Sequence, residues 1–169
     1  MYKYFSLIVF AFLFLLQSYV FAADYTSLGK YGDWQSMYWN TEEGLICTMT
    51  SFPIKKEGKY SKRGEVYAQI VKNKGSKELG VVNFQAGYTF KTESKVSVNI
   101  DLKRTFNLFT NRQAAWAFTA EEDNLLIKSM KLGTKMVVKG VSMRGTNTKD
   151  TYSLKGFIAA YKAMNKICK

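Results

Sequence analysis

Between Lys95 and Asp101 the chain reads KVSVNID, with Val96, Val98 and Ile100 at every second position and Ser97 and Asn99 between them. Successive side chains of a β-strand point to opposite faces, so this alternation predicts a strand with one covered face and one wet face. The run after it repeats the pattern: in TFNLF, Phe106 and Leu108 share a face opposite Asn107. Asp101, Leu102 and Lys103 lie between the two runs and are predicted to form the tip of a hairpin.

Six further segments read the same way. They are Asp33 to Trp39, Gly44 to Phe52, Glu65 to Val71, Leu79 to Gln85, Ala114 to Phe118 and Lys135 to Met143, all rich in valine, tyrosine, phenylalanine or threonine and separated by frequent turn signals. The spacing predicts a mainly β protein, an antiparallel sandwich or barrel. Two segments break the pattern. EEDNLLIKSMKLG, Glu121 to Gly133, opens on acids that suit a helix N-terminus and carries Leu126, Ile127 and Met130 at helical spacing, which predicts a short helix near 123–132. From Ser153, read as a cap, a C-terminal helix is predicted with Leu154, Phe157, Ile158, Tyr161 and Met164 or Cys168 as its apolar stripe. Arg144 to Tyr152 is read as the connection leading into it, with Gly145 supplying an unusual dihedral and Asn147, Asp150 and the threonines bonding to nearby backbone.

The first residues stand apart from this scheme. A lysine in MYKYFS precedes the apolar LIVFAFLFLL, and QSYVFA leads to a cut expected between Ala22 and Ala23, so residues 1–22 read as a secretory signal. The apolar core is shorter than the roughly 20 residues that span a bilayer. No cysteine follows the cut, so no lipid anchor is expected there. The remaining 147 residues, 23–169, suit one domain. Export places Cys47 and Cys168, the two cysteines, in an oxidising compartment, and a disulfide between them is predicted.

The sequence contains no histidine. Serine-histidine and cysteine-histidine catalysis, imidazole-dependent zinc sites and the usual general base near neutral pH are therefore removed. Paired cysteines leave no thiolate nucleophile. No P-loop, EF-hand loop or dinucleotide fingerprint is present. Glu121, Glu122 and Asp123 form the sole acidic cluster, and a carboxylate-dependent glycan hydrolase can be written around them. Their place at a predicted helix start accounts for them through the helix dipole, and that reading is preferred. No catalytic residue, metal ligand or cofactor is assigned, and the chain is not expected to be an enzyme.

Charge gives the strongest hint of a partner. From Leu125 to Lys169 ten basic residues face one acid, Asp150, and a second basic run, KKEGKYSKR, spans Lys55 to Arg63. Lys139, Arg144, Lys149 and Lys155 are the candidate anion-binding residues. Only four of the 25 basic residues are arginines, so general attraction to an anionic lipid, lipopolysaccharide or acidic protein surface is expected, and nucleic acid is not. Trp34, Trp39 and Trp116 could serve as stacking platforms or fill a core.

Met136 to Cys168, MVVKGVSMRGTNTKDTYSLKGFIAAYKAMNKIC, closely resembles the signature of the invasion-associated locus B family. YGDWQ at Tyr31 to Gln35, LICTMTSF, KYSKRGEVY at Lys59 to Tyr67, the LFT and AWAF runs and LLIKSMKLG agree with it, so the resemblance covers nearly all of 23–169. It departs where many members carry another cysteine soon after the first tryptophan. Here Met37, Tyr38 and Trp39 stand in that neighbourhood, which strengthens the long Cys47 to Cys168 pairing. The resemblance implies an immunoglobulin-like antiparallel β-sandwich with a C-terminal helix packed on it. It also implies a protein exported by a Gram-negative bacterium, to the periplasm or outer membrane, with a role in host-cell entry for some members. Membrane association is expected to be peripheral at most. The family brings no catalytic residues with it.

Overall fold

The structure, a computed structural model, describes residues 25–169. The expected signal sequence and its expected cut site lie outside the described residues. Eleven strands run in chain order: β1 (Thr26–Tyr31), β2 (Trp34–Thr41), β3 (Gly44–Ser51), β4 (Lys55–Gly58), β5 (Tyr67–Asn73), β6 (Val81–Gln85), β7 (Val96–Ile100), β8 (Arg104–Asn111), β9 (Ala114–Trp116), β10 (Lys135–Val141) and β11 (Asn147–Ser153). Helix α1 (Ala120–Leu132) lies between β9 and β10, and α2 (Phe157–Ile167) closes the chain.

All pairings are antiparallel and give one continuous order, β1-β2-β3-β5-β6-β9-β8-β7-β10-β11-β4. Strand β8 is the corner: Arg104 to Leu108 pair with β7, whereas Phe109 to Asn111 pair with β9. The sheet therefore turns back on itself, and Phe84 of β6 meets Tyr152 of β11 edge-on at 6.3 Å across the interior. This is the mainly β, antiparallel architecture expected, with the C-terminal helix packed on it. Val96, Val98, Ile100 and Leu108 are buried, as their alternation requires.

Helix α1 starts where its acids predict. Thr119 caps it, its hydroxyl accepting the Glu122 amide at 3.2 Å. Leu126, Ile127 and Met130 are fully buried. Helix α2 lies against β1, β2 and β3. The Trp34 and Phe157 rings meet in a T-shaped contact at 4.9 Å, and Trp34 donates its indole N–H to the Ser153 carbonyl at 3.1 Å, while Ser36 bonds to the Ala160 carbonyl at 2.9 Å. A disulfide joins Cys47 of β3 to Cys168 just past the helix, closing a separation of 121 residues.

Three expectations are corrected. Ser153 ends β11 and does not cap α2. The helix begins at Phe157, after Gly156 adopts φ 87° against the Tyr31 carbonyl, where a side chain has no room. Ile158 lies outside the apolar stripe at 47% exposed; Phe157, Ala160, Tyr161, Met164 and Cys168 form it. Arg144 to Tyr152 is not one long connection, because β11 begins at Asn147 and pairs with both β10 and β4. Strands β1, β4 and β11 carry too many glycine, lysine and hydroxyl residues to read as strands from pattern alone.

Candidate functional site

A cavity of about 720 Å³ opens where three segments far apart in sequence converge: the loop after β4, the loop after β6 and the hairpin joining β10 to β11. The first wall begins at Gly58, which pairs with Thr148 and then releases the chain into KYSKRG. The second wall is Gly87, Tyr88 and Thr89. Gly64 donates its amide to the Gly87 carbonyl at 2.9 Å, and a Cβ on Gly87 would meet the Gly64 carbonyl at 2.6 Å, so this close approach needs glycine. The third wall is tied on by Met143 N–H to the Thr89 carbonyl at 2.8 Å and by the Ser142 hydroxyl, which accepts the Thr146 amide at 3.1 Å.

Arg63 holds the floor. Its Nη1 and Nη2 donate to the two carboxylate oxygens of Asp150 at 2.7 and 2.6 Å, and its Nε donates to the Ala86 carbonyl at 2.6 Å. The guanidinium lies 5.4 Å from the Tyr60 ring centre and 5.0 Å from that of Tyr88. Burial works against its charge, but the Asp150 carboxylate more than offsets this and raises the Arg63 pKa above its ordinary value. Tyr88 shares a 2.6 Å hydrogen bond with Thr148, and burial pushes its phenol pKa up. With both charges of the floor paired, Lys59, Lys62 and Arg144 remain as the cations of the lining, accompanied by the hydroxyls of Ser61, Thr89, Ser142 and Thr146. No carboxylate lines the cavity. Asp150, which pairs with Arg63 of the lining, is locked in the ion pair. The lining thus presents cations and hydroxyl groups, which can donate hydrogen bonds to oxygens of a molecule that enters the cleft.

The four candidate anion-binding residues do not form one site. Arg144 lines the cleft. Lys139 and Lys149 face each other across β10 and β11 and line a neighbouring depression of about 400 Å³ with Lys95 and Glu57. Lys149 reaches the Glu57 carboxylate at 3.2 Å, and Lys55 and then Lys149 hold the Glu57 carboxyl below its ordinary range. Lys155 stands at the other end of β11, where its carbonyl accepts the Asp33 amide at 3.1 Å. Lys59, Lys62, Arg63 and Tyr88 were missing from the candidate set. The basic run ending at Arg63 marks the first three, whereas nothing near Tyr88 in the sequence marks it.

The acidic cluster is placed elsewhere. Glu122 accepts the Phe118 amide at 2.9 Å, and Asp123 is buried and accepts the Val82 amide at 2.9 Å. Burial, with a smaller contribution from Glu122, pushes the Asp123 pKa up to about 6 against the pull of that amide. None of the three acids lines either cavity. Trp34 is a fully buried core residue.

Comparison with known proteins gives a consistent account. Residues 34–165 match the family described as invasion associated locus B (IalB) protein. No curated protein sequence matches significantly. A crystal structure described as invasion associated protein B from Bartonella henselae is similar in fold, with a TM-score of 0.59 at 12% identity over 84% of this chain and 96% of that chain.

Proposed function

This chain belongs to the invasion associated locus B family, and we propose that it is an exported envelope protein that acts by binding and not by catalysis. Its cleft would receive an anionic group of an envelope component, a lipid headgroup or lipopolysaccharide phosphate. The observation that carries this reading is the lining: Lys59, Lys62 and Arg144 together with hydroxyl side chains such as Ser61, Thr89, Ser142 and Thr146, and no carboxylate among them. Several charges of one sign in one concavity raise the local concentration of an oppositely charged ligand.

Residence in the periplasm or at the outer membrane of a Gram-negative bacterium is part of the proposal. The signal-like first 22 residues favour export, and the Cys47–Cys168 disulfide suits an oxidising compartment. Among the described residues, no helix is long and apolar enough to cross a membrane. A contribution to host-cell entry is a second reading, supported by the words 'invasion associated' in the family's description.

In living cells, a photo-crosslinking residue at Met143, which lines the cleft, is expected to capture lipopolysaccharide or phospholipid. The same residue at exposed Asn40 is expected to capture neither. Capture of an acidic protein at Met143 would redirect the proposal to a protein partner, and equal capture at both positions would contradict it.

A further inference from the structure

The hairpin tip between β7 and β8 and the end of α1 meet at the opposite end of the molecule from the cleft. Asp101 ties them together: its carboxylate accepts the Thr134 amide, the Thr134 hydroxyl and the Lys135 amide, each at 2.9 Å. Gly133 is packed so closely on Ile100 that an added Cβ would lie 2.5 Å from its side chain. On either side of this junction a leucine projects into solvent, Leu102 at 85% exposed and Leu132 at 88%.

Leu102 is placed there against local preference. Asp101 and Leu102 are the two central residues of the turn, with φ 50° and 58°, and Lys103 N–H closes it on the Ile100 carbonyl at 3.0 Å. A turn with two left-handed residues favours asparagine or aspartate followed by glycine. Aspartate is accounted for by its three bonds, but leucine at the second position adopts a backbone conformation that bulky side chains rarely take, and its side chain covers little of the protein. Lys103, Arg104 and Lys135 stand exposed beside the two leucines. The oxygens of the adjoining acid, Asp101, are taken up by the donors named above.

We infer that this tip is a shallow membrane-docking point for an anionic lipid surface, the two leucines entering the interface while the basic residues meet the headgroups. Apolar insertion together with positive charge is the combination that holds peripheral proteins on such surfaces. Two leucines offer far less area than the roughly 1,000 Å² that a stable protein interface needs. The cleft hairpin and this tip lie at opposite ends of β10, seven residues long and so about 20 Å apart. The tip and the cleft share no residue, so this inference stands independently of the cleft reading.

The test is co-sedimentation of the chain from residue 23 with vesicles of phosphatidylcholine alone and of phosphatidylcholine with phosphatidylglycerol. Binding to the anionic vesicles only is expected, and Leu102→Gly and Leu132→Ser are each expected to weaken it about tenfold, the scale of one leucine withdrawn from an apolar environment. Glycine accepts the φ of position 102, so Leu102→Gly is expected to melt no lower than the unaltered chain, which separates docking from folding. A Lys59→Glu, Lys62→Glu, Arg144→Glu variant removes any contribution of the cleft to vesicle binding, and in that background the two leucine changes are expected to weaken sedimentation by the same factor. Leucine variants that sediment normally, equal binding to both vesicles, absence of binding, or loss confined to the cleft variant would each overturn the inference.

Discussion

Arg63 and Asp150, 87 residues apart, meet as a two-pronged ion pair with side chains only 4% and 5% exposed. It joins the loop after β4 to the middle of β11 beneath the cleft. Removing one partner leaves the other charge buried without compensation, which costs about 3–5 kcal/mol, whereas replacing both by apolar residues of similar volume comes much nearer to neutral. Asp150→Asn is therefore expected to lower the unfolding free energy by about 3 kcal/mol in urea titration. Arg63→Met with Asp150→Leu should lose less than either single change.

The Cys47–Cys168 bond acts on the unfolded chain. Cross-linking residues separated by 121 positions removes loop entropy worth about 4–5 kcal/mol in the chain-entropy model. Cys47→Ala with Cys168→Ala is expected to lose about that much in urea titration. The loss should equal that seen when the unaltered chain is reduced.

Asp123 makes a prediction about pH. Its carboxyl has a pKa of about 6 in the fold against an ordinary 3.8, so the folded chain holds this proton more tightly than the unfolded chain does. The contribution is most favourable below the ordinary value and falls as pH rises through 6. Asp123→Asn keeps an oxygen for the Val82 amide and removes the charge. The variant is expected to be more stable than the unaltered chain by about 1 kcal/mol near pH 7.5, with the gap closing toward pH 4. Urea titrations across that range measure it, and a gap that does not change with pH contradicts it.

Gly156 sets where α2 begins. It combines φ 87° with a position where an added Cβ would run into the Tyr31 carbonyl. Gly156→Ala must both accept a left-handed conformation and push β1 away from the helix, at an expected cost of about 2–3 kcal/mol. Differential scanning calorimetry would show it as a lowered melting temperature.

Legibility in the sequence followed how local each cause was. Val96, Val98 and Ile100 announce their strand because covering one face imposes period two, and α1 announces itself through its own acids and apolar spacing. All eight segments read as strands are strands, and the disulfide joins the expected cysteines. β11 was hidden because its inward positions, Thr148, Asp150 and Tyr152, include polar groups whose partners lie far away in sequence. Tyr88 satisfies Thr148 and Arg63 satisfies Asp150, so TNTKDTYS reads as a turn until those two loops are brought beside it. The same is true of the cleft. Its basic run was visible, but that run acquires a site only when Gly64 and Gly87 let two loops close on the β10–β11 hairpin.

The central claim, an anion-binding cleft, is tested most directly by titrating the chain against immobilised lipopolysaccharide at low and high salt, beside the Lys59→Glu, Lys62→Glu, Arg144→Glu variant. Exposed charges that steer an anion are screened by salt, so the affinity of the unaltered chain is expected to fall as salt rises. The variant is expected to bind at least about tenfold more weakly at low salt while retaining its melting temperature, because Arg63 and Asp150 are untouched. A variant that binds as tightly as the unaltered chain, or binding indifferent to salt, would contradict the account.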